Sequence, residues 1–458
     1  MAKKVNREAS SFRDPAGYIY YSNNRVYRKI FNCYFKQYEH LMNSGLYDEL
    51  VEKKLLVSHK EVERTKEYIV LEVEKIPFIS YPYEWCFNQM KDASLLTLEI
   101  NKIALEYGMI LKDASGFNVQ FLDGRPIFID TLSFDFYEEG MPWGAYGQFV
   151  RHFMGPILLM KHVDERLNCL LKNYIDGVPV DLADSLLKGR GGFTAKQHIK
   201  WHSMAINNHN DSDKREVKQL KMPKTRLIQM IDMMIRQIDK LNRKESLSEW
   251  GDYYNRTNYD DVSDKSKIKL VEKYLNGIDF FDNNLIFDIG ANDGKYSRIA
   301  SNKGVVISFD IDINCINHNY DNVKINNESN ILPLFLDVTN PTPDIGFNQQ
   351  ERMGINRRGN AKCVMALALI HHIAISNNVF FDDIASWFLN LGEELIIEFV
   401  PKDDSQVQKL LKTRKDIFDW YNIEDFEKSF SKYFTIIEKN KIKNSKRTIY
   451  LMRRNNNG

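Results

Sequence analysis

In the second half of the chain, short apolar runs alternate with stretches of helical spacing. The runs are rich in branched side chains, end at turn residues and cover positions 285–289, 305–310, 331–338, 363–370 and 394–400. Strands that alternate with helices are typical of a parallel sheet with crossover helices. Two later runs, 434–442 and 447–454, flank a polar turn and predict an antiparallel hairpin.

The first half has a more mixed texture. A hairpin is predicted around Asn23-Asn24, followed by a charged, mostly helical stretch to about residue 66 and strand-like composition over 68–85. Apolar spacing predicts an amphipathic helix over 92–107, and Asp123-Gly124 predicts a second hairpin. An α+β domain is therefore expected before the α/β domain.

An apolar stripe between residues 225 and 241 predicts one further helix. With 458 residues the chain is too long for one ordinary domain, since single cores stop growing at roughly 250 to 300 residues. We expect three parts: an N-terminal domain at 1–220, a linker helix within 221–248 and a C-terminal domain at 249–458.

Composition narrows the classes of function. The formal charge of +1 supplies no basic field for a polyanion, so nucleic acid is not favoured as a partner. The five cysteines are odd in number and never form C-x-x-C, which indicates neither a disulfide framework nor a zinc site. No apolar run reaches the roughly 20 residues that span a bilayer. These features predict a cytoplasmic protein, and they leave its oligomeric state open.

The motif "DIGANDG", residues 288–294, lies between a predicted strand and a predicted helix. It matches neither the dinucleotide pattern G-x-G-x-x-G nor a P-loop, because Tyr296 follows Lys295 where a serine or threonine is required. A carboxylate at Asp288 would repel a pyrophosphate but can bind an ammonium group. Asp310 ends the next predicted strand, where a carboxylate accepts ribose hydroxyls. An amine, a ribose and an adenine are the parts of S-adenosylmethionine.

These motifs resemble those of the class I, Rossmann-like S-adenosylmethionine-dependent methyltransferases. The resemblance covers about residues 250–454 and implies a seven-stranded sheet that ends in an antiparallel hairpin. It also implies that Asp288, Gly290 and Gly294 border the methionine moiety, that Asp310 holds the ribose and that Asp337 accepts the adenine amine. Asn292, assigned to the same cofactor site, stands where many members have glycine.

The chain is further similar to a bacterial group of nodulation-protein-like methyltransferases. Three segments carry this similarity: "WGDYYNRTNY" (250–259), "ALALIHHIAISNN" (366–378) and "IEFVPKDDSQVQ" (397–408). The similarity supplies no methyl acceptor.

Ligands of parallel sheets gather beyond the carboxyl ends of the strands. There the chain offers four candidate catalytic side chains: His371, His372, Glu398 and Lys402. A histidine suits the deprotonation of a hydroxyl acceptor. We expect at most one of the adjacent histidines to act, and we choose His372, with Glu398 orienting it or binding substrate. The alternative is that both histidines are structural.

The segment 111–130 resembles the catalytic loop and metal-binding strand of the protein-kinase-like and aminoglycoside-phosphotransferase-like fold. Asp113, Asn118 and Asp130 have the order of a proton acceptor and two magnesium ligands, which implies ATP and Mg²⁺ as ligands. No glycine-rich phosphate loop is evident, and Lys29 and Lys75 are undecided candidates for the phosphate-binding lysine. Turn chemistry alone explains the same residues.

The sequence thus predicts an enzyme that transfers a methyl group from S-adenosylmethionine to oxygen on a small molecule or saccharide. Two alternatives stay open. One is a bifunctional kinase-methyltransferase that modifies a glycan end, with Mg²⁺ on Asn118 and Asp130. The other is a non-catalytic binding module.

Overall fold

The computed structural model describes residues 6–200, 202, 221–243, 260–412 and 414–455. These residues form two compact units, one of residues 6–243 with 345–352, the other of 260–344 with 353–455. The segment "WGDYYNRTNY" at 250–259 lies outside the described residues.

The first unit begins with a five-stranded antiparallel sheet of order β1-β2-β3-β5-β4. Its strands are β1 (Asn6–Arg7), β2 (Gly17–Ser22), β3 (Arg25–Phe31), β4 (His59–Arg64) and β5 (Tyr68–Val73). Asn23 and Asn24 both have positive φ and form the predicted hairpin turn. The stretch predicted as mostly helical contains α1 (Phe35–Asn43) and α2 (Leu46–Glu52) but ends in β4. That strand was missed because its side chains are nearly all polar and exposed.

The rest of the first unit is built around α3 (Phe87–Glu106), which begins earlier than predicted and is buried along most of its length. Two small ribbons follow it: β6 (Met109–Leu111) with β9 (Phe134–Phe136), and β7 (Val119–Leu122) with β8 (Arg125–Phe128). Among the described residues of this unit, six further α-helices follow: α4 (Tyr146–Phe149), α5 (Gly155–His162), α6 (Leu170–Asn173), α7 (Val180–Leu187), α8 (Gly192–Ala195) and α9 (Lys224–Asp239).

Helix α9 is the helix that was predicted as a linker. Its stripe of Leu227, Ile231, Met234 and Ile238 is buried, so it belongs to the first unit. An ion pair of 2.7 Å between Lys102 of α3 and Asp232 holds its outer side.

The second unit contains a seven-stranded sheet of order β12-β11-β10-β13-β14-β16-β15. Its strands are β10 (Leu285–Ile289), β11 (Val305–Asp310), β12 (Ile331–Phe335), β13 (Ala361–Ala366), β14 (Gly392–Phe399), β15 (Phe434–Lys441) and β16 (Thr448–Arg454). The first five strands along the chain are parallel, and β16 inserts antiparallel between β14 and β15. This arrangement confirms the predicted sheet and its terminal hairpin.

Helices cover the sheet and bury its apolar side chains. They are α10 (Asp261–Asn276), α11 (Lys295–Ala300), α12 (Ile313–Asn326), α13 (Ile355–Arg358), α14 (Phe381–Leu389), α15 (Ser405–Leu411) and α16 (Ile423–Phe430). One core cluster joins Val271 and Tyr274 of α10 to Ile286, Met365 and Ile396 of the sheet. No helix in the described part of the chain is both long enough and apolar enough to cross a bilayer.

Candidate functional site

A cavity of about 610 Å³ opens at the carboxyl ends of β10, β11, β12 and β13. This volume is in the range of small-molecule and cofactor sites. All of the lining residues belong to the second unit. They include Asp288, the next-to-last residue of β10, Asp310 at the end of β11 and Asp337 just after β12. The structure therefore brings the three predicted carboxylates to one cavity.

The loop after β10 is shaped by its backbone conformation. Gly290 has a φ of +77°, and the amides of Gly290 and Ala291 both donate to the carbonyl of Phe309, at 2.8 and 3.0 Å. Asn292 also lies in the left-handed region, with a φ of +53°. Asparagine tolerates this region, so its presence in place of glycine preserves the turn.

Gly294 caps the start of α11 with a φ of +84°. A Cβ atom at this position would lie 2.4 Å from the Asn319 Oδ1 atom and 2.6 Å from the Arg298 Nη1 atom. Glycine is therefore required both by the backbone conformation and by the close approach of these two side chains.

Asp288 lies at the base of the cavity and is almost completely buried. Its Oδ2 atom accepts a hydrogen bond of 2.6 Å from the Ser297 hydroxyl, which in turn accepts one from Ser308. Burial raises the pKa of Asp288 to about 7, since a carboxylate is poorly solvated there. A cationic ligand group would stabilise its ionised form.

Asp310 is held by backbone amides on both sides. Its Oδ2 atom accepts from the amide of Asn292 at 2.7 Å, and its Oδ1 atom accepts from the amide of Asp312 at 2.8 Å. Burial nevertheless raises the pKa of Asp310 to about 6. Asp337 is more open, and Thr339 donates to it from both its amide and its hydroxyl. Carboxylate oxygens retain further lone pairs, so both groups can also accept from ligand hydroxyls or amines.

The opposite wall follows β13. The strand ends at Ala366, earlier than predicted, because the chain turns at Ala368, whose φ is +53°, and continues as a π-helical turn at His372–Ser376. His372 lines the cavity, whereas His371 is buried and does not line it. Burial lowers the pKa of His372 to about 4 and that of His371 well below its ordinary range. Both imidazoles are therefore neutral at physiological pH.

Glu398 was predicted to orient His372 or to bind substrate, but it does not line the cavity. Its side chain is completely buried, and its Oε2 atom pairs with the Lys267 Nζ atom at 2.7 Å. Its Oε1 atom lies 3.3 Å from the guanidinium of Arg447, which makes two hydrogen bonds of 2.8 and 3.1 Å to Asp404. Lys402 is likewise outside the lining and pairs with Asp416 at 2.8 Å.

Several lining residues were not predicted, and Lys267 is the clearest of them. It lies on the buried face of α10, in the same stripe as Val271 and Tyr274. The sequence contained one signal for this residue, namely a lysine at a position of the helix where the neighbouring turns have apolar side chains. Lys295 and Tyr296 also line the cavity, and Lys295 makes bonds of 2.6 and 2.8 Å to the two carboxylate oxygens of Asp264.

In the first unit, Asp113, Asn118 and Asp130 also converge. The Asn118 amide interacts with Asp113 and donates to Ser133 at 3.2 Å, and Ser133 donates to Asp130. Arg28 of β3 is buried and pairs with Asp130 at 2.6 Å. Burial, together with the nearby Asp130, raises the pKa of Asp113.

The same three residues provide few oxygens for a cation in this arrangement. Carboxylate and carboxamide oxygens are the ligand types that Mg²⁺ prefers. However, both oxygens of Asp130 are engaged, one by Arg28 and the other by Ser133. Among the described residues, no group of three or more His, Cys, Asp and Glu side chains has the geometry of a metal site.

Comparison with known proteins finds a relative whose sequence aligns with nearly the whole chain. Nodulation protein NoeA of Rhizobium meliloti (strain 1021) is 31% identical, over 99% of this chain and 97% of NoeA. The chain belongs to the NoeA family. The aligned length includes both units. This finding confirms the predicted similarity to nodulation proteins, although no protein-family model matches the chain.

Solved structures share only part of the chain. Magnesium protoporphyrin IX methyltransferase ChlM of Synechocystis PCC 6803, with bound SAH, is 14% identical over 45% of this chain and 93% of its own, with a TM-score of 0.31. The bifunctional kinase-methyltransferase WbdD is 13% identical over 45% of this chain and 43% of its own, with a TM-score of 0.30. The fold of the second unit is defined by its own strand order.

Proposed function

We propose that the second unit of this NoeA-family protein is an S-adenosylmethionine-dependent methyltransferase that methylates oxygen on a small-molecule or saccharide acceptor. The observation that carries the proposal is the meeting of Asp288, Asp310 and Asp337 in one cavity at the ends of three adjacent parallel strands. Each carboxylate suits one donor group of the cofactor: the methionine ammonium, the ribose hydroxyls and the adenine amine.

Apolar side chains complete this complementarity. Ile311 and Leu336, which follow β11 and β12, line the same cavity as the two outer carboxylates. They offer a surface on which an adenine ring can pack, while Asp337 is close in sequence to Leu336. The cavity is therefore polar where the cofactor has hydrogen-bond donors and apolar where it has a flat ring.

His372 is the group that we assign as proton acceptor. It lines the cavity, and burial lowers its pKa to about 4, so the imidazole is unprotonated at physiological pH. A base of this low pKa takes the proton only as the methyl group is transferred, since it does not hold a proton in the resting site. Asn377 holds the loop by donating to the His372 carbonyl at 3.0 Å. When bound, S-adenosylmethionine supplies an electrophilic methyl group. His372 would take the hydroxyl proton while the acceptor oxygen forms its bond to the methyl carbon, and the bond from that carbon to the sulfonium sulfur would break to leave S-adenosylhomocysteine.

Calorimetric titration of the full-length protein with S-adenosylmethionine tests the proposal. Binding is expected in the wild type and at least a tenfold loss of affinity in Asp288→Ala, since a charged hydrogen bond in a buried site contributes about 1.5 to 3 kcal/mol. Asp282→Ala removes an exposed carboxylate outside the cavity and should bind normally. No binding by the wild type would refute the proposal.

A second candidate function concerns the first unit, where the convergence of Asp113, Asn118 and Asp130 favours phosphoryl transfer with ATP and Mg²⁺. Asn118 and Asp130 would hold the cation, and for that the Arg28 pair with Asp130 has to open. Titration with ATP in the presence and absence of Mg²⁺ tests it. Metal-dependent binding that Asp130→Ala abolishes would support this candidate, and a lack of binding would refute it.

A further inference from the structure

Lys267 is a buried cation in the wall of the proposed cofactor cavity. Its side chain is only 5% exposed, yet it lines the same cavity as Asp288. It extends from α10, an element that the predicted cofactor motifs do not include. Burying an ammonium group is costly unless it is paired, so a lysine at this position calls for an explanation.

The Lys267 ammonium is held in place by a chain of buried charges. Glu398 contacts it at 2.7 Å and also contacts Arg447, which is in turn held by Asp404. This chain contains two cations and two carboxylates, so the proton on Lys267 is matched by a buried negative charge. An ammonium group can donate three hydrogen bonds, so holding Glu398 is compatible with binding a ligand oxygen as well.

The ammonium also has a defined position beside Asp288. Its Nζ atom lies 4.7 Å from the centre of the Tyr296 ring, which itself lines the cavity. Its positive charge lowers the pKa of the Asp288 carboxyl, against the larger effect of burial. A cation and a carboxylate thus lie near each other at one end of the cavity.

The methionine end of the proposed cofactor is a zwitterion, with an ammonium and a carboxylate on one carbon. The cavity is lined by six aspartates, and a ligand carboxylate would be repelled by them unless a cation faced it. Among the described residues, the lining offers only two lysines, Lys267 and Lys295. Lys295 is partly exposed and bound to both oxygens of Asp264.

We propose that Lys267 binds the carboxylate of the methyl donor's methionine moiety while Asp288 binds its ammonium group, an assignment that rests on the proposed methyltransferase function. Lys267 is then a specificity-determining residue, since it makes the site select donors that carry a free carboxylate. Glu398 and Arg447 are positioning residues that act through Lys267.

The test compares two donors in the full-length protein by calorimetry: S-adenosylmethionine and decarboxylated S-adenosylmethionine, which lacks only the carboxylate. The wild type should bind the first about 10- to 100-fold more tightly. Lys267→Met should abolish that preference and bind the decarboxylated donor about as well as the wild type does. Lys273→Met is a matched control on the same helix, because its exposed side chain lies outside the cavity, and it should keep the preference.

A further variant covers the case in which Lys267→Met fails to fold because Glu398 is left uncompensated. Lys267→Met/Glu398→Gln removes both charges and leaves Arg447 paired with Asp404. The inference is wrong if either variant keeps the wild-type preference, if the wild type shows none, or if Lys295→Met abolishes it instead. Failure of the wild type to bind either donor would refute the proposed function itself.

Discussion

At the scale of single residues, Asp288 is a buried carboxylate whose ionised form the folded protein stabilises only in part. The side chain is buried at the end of a hydrophobic strand, where its ionised form is poorly solvated. The Ser297 hydroxyl and the Lys267 ammonium favour the ionised form, but burial outweighs them and the pKa is about 7. A ligand ammonium would supply the missing stabilisation, so binding and ionisation are coupled.

This coupling predicts that S-adenosylmethionine binds more weakly as the pH falls. Below a pKa of about 7 Asp288 is increasingly protonated in the free protein, and Asp310 follows at about 6. Affinity should decrease about tenfold per pH unit once the pH is well below the pKa of the group that must ionise. Calorimetry between pH 5.5 and 7.5 measures this slope, and Asp288→Asn should flatten most of it. A constant affinity in the wild type would contradict the coupling.

At the scale of elements, the turn between β10 and α11 depends on Gly294. Alanine there would require a positive φ and would bring its Cβ atom against Asn319 and Arg298. We expect Gly294→Ala to lower the free energy of unfolding by about 1 to 3 kcal/mol and to weaken binding of S-adenosylmethionine.

Gly277→Ala is the matched control. Gly277 also caps a helix, but its φ is −86° and its nearest contact for a Cβ atom is 3.4 Å away. The two variants are compared by urea unfolding and by titration with S-adenosylmethionine. Equal stability of the two alanine variants would show that the turn can relax around the added methyl group.

The buried charges that join β14, β16 and α15 form a second testable element. Arg447→Met removes the partner of Asp404 and one partner of Glu398, both of which are buried. Removing one member of a buried pair destabilises by about 3 to 5 kcal/mol. Arg454→Met, at the exposed end of β16, should change stability by less than about 0.5 kcal/mol. Equal melting temperatures for the two variants would contradict a stabilising role for Arg447.

The bounds of a strand could be predicted from the sequence where the apolar run has a clear end. β10 and β11 have the predicted bounds because polar or turn residues flank each run. The run at 363–370 was predicted as one strand, but its last four residues leave the strand, and two of them, Leu367 and Ile370, are buried. Apolar composition reports burial, and it does not separate a strand from a buried turn.

The same limit applies to the candidate site. Asp288, Asp310 and Asp337 were predictable because each lies at the carboxyl end of a strand, and parallel strands bring those ends together. Lys267, Glu398 and Arg447 are distant in sequence and meet only through the packing of α10 against the sheet. Glu398 was expected to orient His372 or to bind the substrate, and only the fold shows that it is paired with the two cations and does not line the cavity.

At the scale of the whole molecule, the two units have separate cores, and the cavity is lined by residues of the second unit alone. A ligand that binds only the native state stabilises the structure that forms its site. The region that gains stability should therefore be the loops at the carboxyl ends of β10 to β13. The first unit provides an internal reference within the same chain.

Hydrogen exchange of the full-length protein with saturating S-adenosylhomocysteine tests this expectation. Amides of Gly290, Asn292 and Gly294 should exchange more slowly with the ligand, because the turn that carries them borders the cavity. Amides of α3 in the first unit should be unchanged. Asp288→Ala should reduce the protection at a ligand concentration that only just saturates the wild type, since it removes the proposed partner of the ligand ammonium. Protection confined to α3 would place the binding site in the first unit and contradict the assignment of the cavity.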